Sequence, residues 1–262
     1  MLRDSWTGAD AYDRYMGRWS RVMADEFLAW LDVPPGRDWA DVGCGTGALT
    51  GRILGRGSPK TVRAFDRSPQ YVAAAREGVP DPRVHFVAAD ATALPQPDAV
   101  VHVVVSGLML NFAADPERVV WEMRRVVTPE GTVAVYVWDY AEGMEFIRMF
   151  WDAAVTVDPS AAERDEGVRF PLCRPEPLGR LFEEIGLRRV DVRPLEIPTR
   201  FLNFDDYWEP FEGGQGPAPG YVVSLDEDTR AKLRATLASR LPCDVDGTLP
   251  LVARAWGVRG TH

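Results

Sequence analysis

Cysteine, histidine and lysine are all scarce in this chain of 262 residues. Three cysteines occur, Cys44, Cys173 and Cys243, and three histidines, His85, His102 and His262. No CxxC pair is present, and an odd count spread this widely is not a disulfide framework. The histidines form no cluster at ligand spacing, so no metal site is expected. Lys60 and Lys232 are the only lysines, and neither is near a tyrosine suited to a Tyr–Lys catalytic pair. No run approaches the roughly 18 apolar residues of a membrane-spanning helix. The opening Met-Leu-Arg-Asp-Ser-Trp lacks the apolar stretch of a signal peptide. A reducing cytoplasm is the expected compartment. Positive charge is also short, the formal net charge being -9. Arg124-Arg125 and Arg188-Arg189 are brief pairs interleaved with acids. That balance argues against nucleic acid or an anionic membrane as the main partner.

What is present is apolar surface, 46% of residues, enough for one large α/β domain. Residues 19–31 read as a helix with Val22, Met23, Phe27, Trp30 and Leu31 on one side. Pro34-Pro35-Gly36 breaks it. Short apolar strands are expected at 39–42, 61–65, 84–87, 100–105 and 132–138. Helices between them are expected at 48–54 and 71–76, with Ser68 as cap, and from Pro116 to Val127, with Asp115 as N-cap. The Val100–Val105 run suits a parallel strand covered on both faces. This alternation predicts a doubly wound parallel sheet whose ligands bind beyond the carboxyl ends of the strands. Later residues predict helices at 144–157 and 175–185, with Gly186 past the end, and a helix from Asp226 to about Leu241. Strands are expected at 188–192 and 249–258. Residues 201–221 read as an aromatic loop rich in glycine and proline. The whole chain is expected to be a single domain, with residues 1–35 as a helical cap and 36–140 as the ligand-binding core. Residues 143–180 and 199–246 could form a lid or insertion.

The most specific pattern is Asp41-Val42-Gly43-Cys44-Gly45-Thr46-Gly47 at the end of the first strand. Asp66 and Asp90 end the next two. Glycines let the backbone turn sharply and approach a ligand, and the following helix points amide donors at a carboxylate. Asp41 could orient water or meet an ammonium group. Asp66 is placed to accept from two ribose hydroxyls. Asp90 could accept from an adenine amino group, while the Ala91 amide meets a ring nitrogen. Cys44 suits a small filler within the loop. The set suits S-adenosylmethionine (SAM). A dinucleotide is the rival, since Gly43-x-Gly45-x-x-Ala48 also meets the permissive form of that fingerprint. Asp41 would sit badly before a pyrophosphate, however, and Asp90 would have no duty there.

With Ser106-Gly107-Leu108-Met109-Leu110-Asn111-Phe112 after the fourth strand, and Arg124-Arg125-Val126-Val127-Thr128-Pro129-Glu130-Gly131-Thr132 entering the fifth, the chain resembles the class I SAM-dependent methyltransferases. It is similar to the broad group that includes quinone-biosynthesis and natural-product enzymes. The resemblance implies a seven-stranded, mainly parallel, Rossmann-like sheet with an antiparallel end formed by 187–193 and 249–258. It implies SAM as cofactor and S-adenosylhomocysteine as product. The expected cofactor contacts are Asp41, Gly43, Cys44, Gly45, Gly47, Asp66, Arg67, Asp90, Ala91 and Ser106. Many relatives carry histidine at the position of Asn111, so this chain lacks that base.

A sulfonium methyl is already electrophilic, and its transfer needs an acceptor held in line with little water between. No catalytic triad is required. Candidate catalytic groups are Asn111, Tyr15 and Asp139. Candidate acceptor contacts are Tyr12, Trp19, Trp138 and Tyr140. Phe201, Phe204, Tyr207, Trp208 and Phe211 could enclose a flat acceptor or hold the insertion together. The expected function is methyl transfer to an O, N or C atom of a small, partly apolar molecule, by a monomer or homodimer. The alternatives are a SAM-binding protein without activity and an NAD(P)-dependent oxidoreductase.

Overall fold

The computed structural model describes residues 16–214 and 216–262. Helix α1 spans Arg18–Leu31. Five strand segments follow: β1 Asp38–Val42, β2 Thr61–Asp66, β3 Val84–Ala88, β4 Val101–Gly107 and β5 Val127–Trp138. Between them lie α2 Ala48–Arg56, α3 Pro69–Gly78 and α4 Pro116–Val126. The rest comprises α5 Glu145–Val157, the single turn α6 Glu166–Arg169, α7 Pro175–Glu184 and β6 Arg188–Phe201. After these come α8 Phe204–Trp208, α9 Pro217–Ser224, α10 Glu227–Arg240 and β7 Leu249–Thr261. The seven strands form one sheet in the order β3-β2-β1-β4-β5-β7-β6. The first five pair in parallel, and the last strands run antiparallel.

Local chemistry accounts for most boundaries. Ser68 accepts from the Tyr71 amide at 3.3 Å and caps α3, and Asp115 accepts from Arg118 at 2.9 Å and caps α4. Asp226 does the same for α10 through Thr229 at 2.8 Å. Gly186, at φ +83°, ends α7. Its amide donates to Glu183 and that of Leu187 donates to Phe182, the paired bonds that close a helix at a left-handed residue.

The chain divides into two compact units. One consists of residues 20–137, 172–195 and 256–262. Its core is mostly the β-branched and small residues of β1, β2, β4 and β5, with Trp39, Phe65 and Tyr136 among them, and Met23, Phe27 and Leu31 of α1 also buried. Val22, read as part of that buried face, is exposed instead. Among the described residues, the other unit consists of 16–19, 138–171, 196–214 and 216–255. It is built on aromatic rings. Phe150 stacks on Phe211 at 4.5 Å and meets Trp151 edge-on at 5.1 Å, and Tyr207 lies 5.3 Å from Phe201. Residues 201–221, expected as a loop, instead form α8, a 3-10 turn at Glu209–Gly213 and α9. Strand β6 also runs nine residues past its expected end at 192.

Candidate active site

The carboxyl edge of the parallel strands gathers the glycine loop and its acids. Register pairs Asp41 with Ala64, and Asp66 with Ala88. The ends of β1, β2 and β3 therefore lie side by side, and the Ala89 amide donates to the Asp66 carbonyl at 2.9 Å. Asp66 and Asp90 stand on the same rim.

The loop is fixed from below. The Gly43 and Cys44 amides both donate to the Phe65 carbonyl, at 2.8 and 2.9 Å. Gly45 takes φ +53°, and nothing lies within 4 Å of where a Cβ would stand, so its face is open. Gly43 is covered: a Cβ there would lie 2.5 Å from Met109 Cγ. Leu108, just before that methionine, holds φ +57°, an uncommon left-handed conformation for a branched residue. Its amide donates to the Tyr136 carbonyl at 2.8 Å. Helix α2 then begins at Gly47 without a side-chain cap, leaving amide donors for an anion.

The Asp66 carboxylate ties the rim together. Oδ2 accepts from the Gly45 amide at 3.0 Å and Oδ1 from the Ser68 amide at 2.8 Å. Each oxygen keeps acceptor capacity, which suits a pair of vicinal hydroxyls. Asp90 is exposed. Its Oδ1 accepts from both the amide and hydroxyl of Thr92, at 2.8 and 2.7 Å. Those bonds, with the nearby charge of Arg67, hold its carboxyl below the usual range. Oδ2 is the oxygen left for a ligand.

Asp41 is wholly buried. The Thr50 hydroxyl donates to its Oδ2 at 2.6 Å. Burial, aided by the charge of Asp66, pushes its carboxyl up to about 7 against that hydrogen bond. It lies under the loop and fastens the start of α2. The Cys44 side chain packs among Ala64, Val72, Ala75 and Phe86 as the small filler expected, which leaves only its backbone for a cofactor contact. Burial, then the charges of Asp41 and Asp66, push its thiol up. Gly47 likewise faces protein, since a Cβ there would lie 3.1 Å from Val79.

Three buried polar atoms at this edge have no partner among the described residues: Asp41 Oδ1, Ser106 Oγ and Asn111 Nδ2. An unpaired buried group costs about 1–3 kcal/mol, and such groups call for an explanation. Two can donate and one can accept. An amino-acid end carrying both a carboxylate and an ammonium has the matching chemistry, and a sugar at Asp66 and a base at Asp90 continue it. The residues present therefore fit an adenosyl amino acid such as SAM.

The remaining candidates sit in the aromatic unit or outside the described residues, where Tyr12 and Tyr15 lie. Trp19 is buried, 5.4 Å from Phe201, with the Arg18 guanidinium 4.5 Å over its ring. Trp138 is buried at the end of β5, and its indole N–H, like that of Trp19, lacks a partner among the described residues. Tyr140 packs 5.7 Å from Phe170, and its carbonyl accepts from Arg148 at 3.0 Å. Asp139 is corrected as a base. Arg254 donates to its Oδ2 from Nε at 2.7 Å and lies 2.6 Å away through Nη2, while Oδ1 accepts from the Glu142 amide at 3.1 Å. A carboxylate so engaged closes the turn after β5 and anchors β7.

Sequence reading missed Glu122. This acid is buried on α4 and accepts from the Leu94 amide at 2.8 Å. Only the neighbouring Arg124-Arg125 pair was noted there. A usable signal was its helical spacing from Val119 and Val126, which are buried on the same helix.

Comparison with known proteins agrees with this geometry. Residues 40–135 match a family described as a methyltransferase domain. A malonyl-[acyl-carrier protein] O-methyltransferase of Halorhodospira halophila is 36% identical over 48% of this chain and 43% of that protein. A 2-methyl-6-phytyl-1,4-hydroquinone methyltransferase of Synechocystis is 35% identical over 47% of this chain and 39% of that protein. The chain thus spans less than half the length of these curated relatives. Among solved structures, Haemonchus contortus phosphoethanolamine N-methyltransferase 2, in complex with phosphomonomethylethanolamine and S-adenosylhomocysteine, superposes with a TM-score of 0.60. It is 15% identical over 97% of this chain and 57% of that one. With the strand order and the rim described above, the chain has the fold of the class I methyltransferases, and its residues 40–135 match the methyltransferase domain.

Proposed function

We propose that this protein binds SAM along the β1–β4 edge and transfers its methyl group to a small molecule. The juxtaposition of the Gly43–Gly47 loop, Asp66 and Asp90 on three successive parallel strand ends carries the reading. Asp66 accepts from the ribose hydroxyls while keeping the loop closed through Gly45. Asp90 accepts from the adenine amino group, with Arg67 beside it. Ser106, Asn111 and the start of α2 face the amino-acid end. Asp41 fixes Thr50 through Oδ2 and leaves Oδ1 to accept from the ammonium.

The cofactor supplies an electrophilic sulfonium methyl. The residues need only hold the acceptor in line and exclude water. Asn111 stays neutral and takes up no proton. In this reading the acceptor arrives in its nucleophilic form or loses its proton to solvent. Small acceptors are favoured by the acidic balance of the chain and by the relatives' names. Trp19, Trp138, Tyr140, Tyr12 and Tyr15 are the proposed acceptor contacts. Residues 143–180 and 199–246 are the proposed lid.

Titration calorimetry of the full chain with SAM, S-adenosylhomocysteine and NADH tests the cofactor. Heat with the first two and none with NADH is the expected result, and the reverse would overturn the reading. A panel of phenols, quinols, amines and carboxylates, assayed with methyl-labelled SAM, then tests transfer. Binding without transfer to any of them would favour the inactive SAM-binding alternative.

A further inference from the structure

Glu122 and Arg125 of α4 reach across to the segment that begins at Asp90. Glu122 Oε2 accepts from the Leu94 amide at 2.8 Å. Arg125 grips the same carboxylate, with Nε 2.9 Å from Oε1 and Nη2 2.8 Å from Oε2. It also donates to the carbonyls of Gln96 at 2.8 Å and Leu94 at 3.1 Å, and to the Asp98 carboxylate at 2.7 Å. Arg118, stacked 4.2 Å over Trp121, donates to the Thr92 carbonyl at 3.1 Å. Helix α4 therefore holds Thr92, Leu94, Gln96 and Asp98, every second residue of one loop. Thr92 is the residue whose amide and hydroxyl orient Asp90.

Burial works against a charge on Glu122, but Arg125, the Leu94 amide and Arg118 together hold its carboxyl below the usual range. A buried acid that must stay ionised for this purpose is costly unless paired and hydrogen-bonded. Tethering a loop to a helix would need only apolar contact. What the network adds is a fixed path for the backbone between Asp90 and Asp98. We infer that Glu122 and Arg125 are positioning residues for base recognition: from α4 they set the direction of the Asp90 carboxylate and the Ala91 amide. This inference rests on the adenosyl-binding reading above. The two residues touch neither cofactor nor acceptor.

The test compares S-adenosylhomocysteine with S-inosylhomocysteine, which has an oxygen in place of the adenine amino group, by calorimetry on the full chain. Wild type is expected to prefer the adenine form by about tenfold or more, the worth of one charge-assisted hydrogen bond. Glu122→Gln and Arg125→Lys are expected to weaken S-adenosylhomocysteine by about tenfold and to bring the preference close to one. A merely structural role would lower melting temperature and leave the preference intact, and that result overturns the inference while the adenosyl reading stands. If wild type binds neither ligand, the adenosyl reading fails and this inference falls with it. Should the buried variants not fold, Arg118→Ala decides. Its side chain is 47% exposed, and losing the Thr92 contact should cost about two- to threefold on S-adenosylhomocysteine alone. An unchanged preference in that variant counts against the inference.

Discussion

The two units of this chain are built on different physics. In the glycine-loop unit, strand ends converge and backbone groups do most of the work: Phe65 holds the loop, and Gly45 and Ser68 hold Asp66. Its polar side chains sit on a rim at little cost to the core beneath. In the aromatic unit, stability comes from large rings in contact, Phe146, Phe150, Trp151, Tyr207 and Phe211 all being buried. Ion pairs surround them, such as Arg148 to both oxygens of Asp165 at 2.7 and 2.8 Å. Rim residues should therefore govern binding with little effect on folding, and ring residues should govern folding.

Phe150→Ala tests the aromatic side of that contrast most severely. Removing a buried ring is expected to cost about 3–5 kcal/mol, read as a lower denaturation midpoint. Comparable stability in the variant would break the contrast. On the rim, Asp66→Ala should weaken SAM and S-adenosylhomocysteine by roughly a hundredfold, since a charged acceptor for two hydroxyls and a loop anchor are lost together. Its melting temperature should shift far less than that of the Phe150 variant. Asp139→Asn distinguishes an anchor from a base. It should lose about 1–3 kcal/mol of stability by loosening the buried pair with Arg254, while the rate of methyl transfer per folded molecule stays near wild type. A collapse in rate at unchanged stability would restore Asp139 as a base.

The remaining tests concern pH, and each unit contains one suitable group. Glu166 is buried against the Trp151 indole N–H, and burial pushes its carboxyl up to about 8. Asp41 is pushed up to about 7. A carboxyl raised on folding binds its proton more tightly in the native state. Its contribution is therefore present below the unfolded pKa and lost as pH rises through the folded one. Stability should fall from about pH 4.5 to 8 through Glu166 and from about 3.8 to 7 through Asp41. Glu166→Gln and Asp41→Asn should each flatten their own part of that slope in melting curves taken across pH. A slope unchanged in both variants would show that neither carboxyl is the source.

Much of the glycine-loop unit was legible because its alternation of β-branched runs, caps and glycines is local chemistry. The aromatic unit was not, and proline explains part of this. Pro210 and Pro217 look like breakers in a loop, yet each occupies the first turn of a helical segment, where no amide partner is needed. The sixth strand, expected to end at 192, runs on through Pro194 and Pro198. Strand β6 is the last in the sheet order, and an outer strand tolerates prolines on its unpaired side. Within the site, the places of Asp66 and Asp90 at or just past successive strand ends were readable from position alone. The burial of Asp41 and the pairing of Asp139 were not, because each depends on a neighbour distant in sequence. The grip of Glu122 on Leu94 spans 28 residues and follows no local pattern.

The Gly45 amide donates to the Asp66 carboxylate at 3.0 Å. The turn that would cup a ligand is already braced by the same carboxylate that would hold the sugar, so the cradle takes its shape during folding. Capture should then freeze few additional torsions, and association should follow the frequency of encounters instead of waiting on a slow rearrangement.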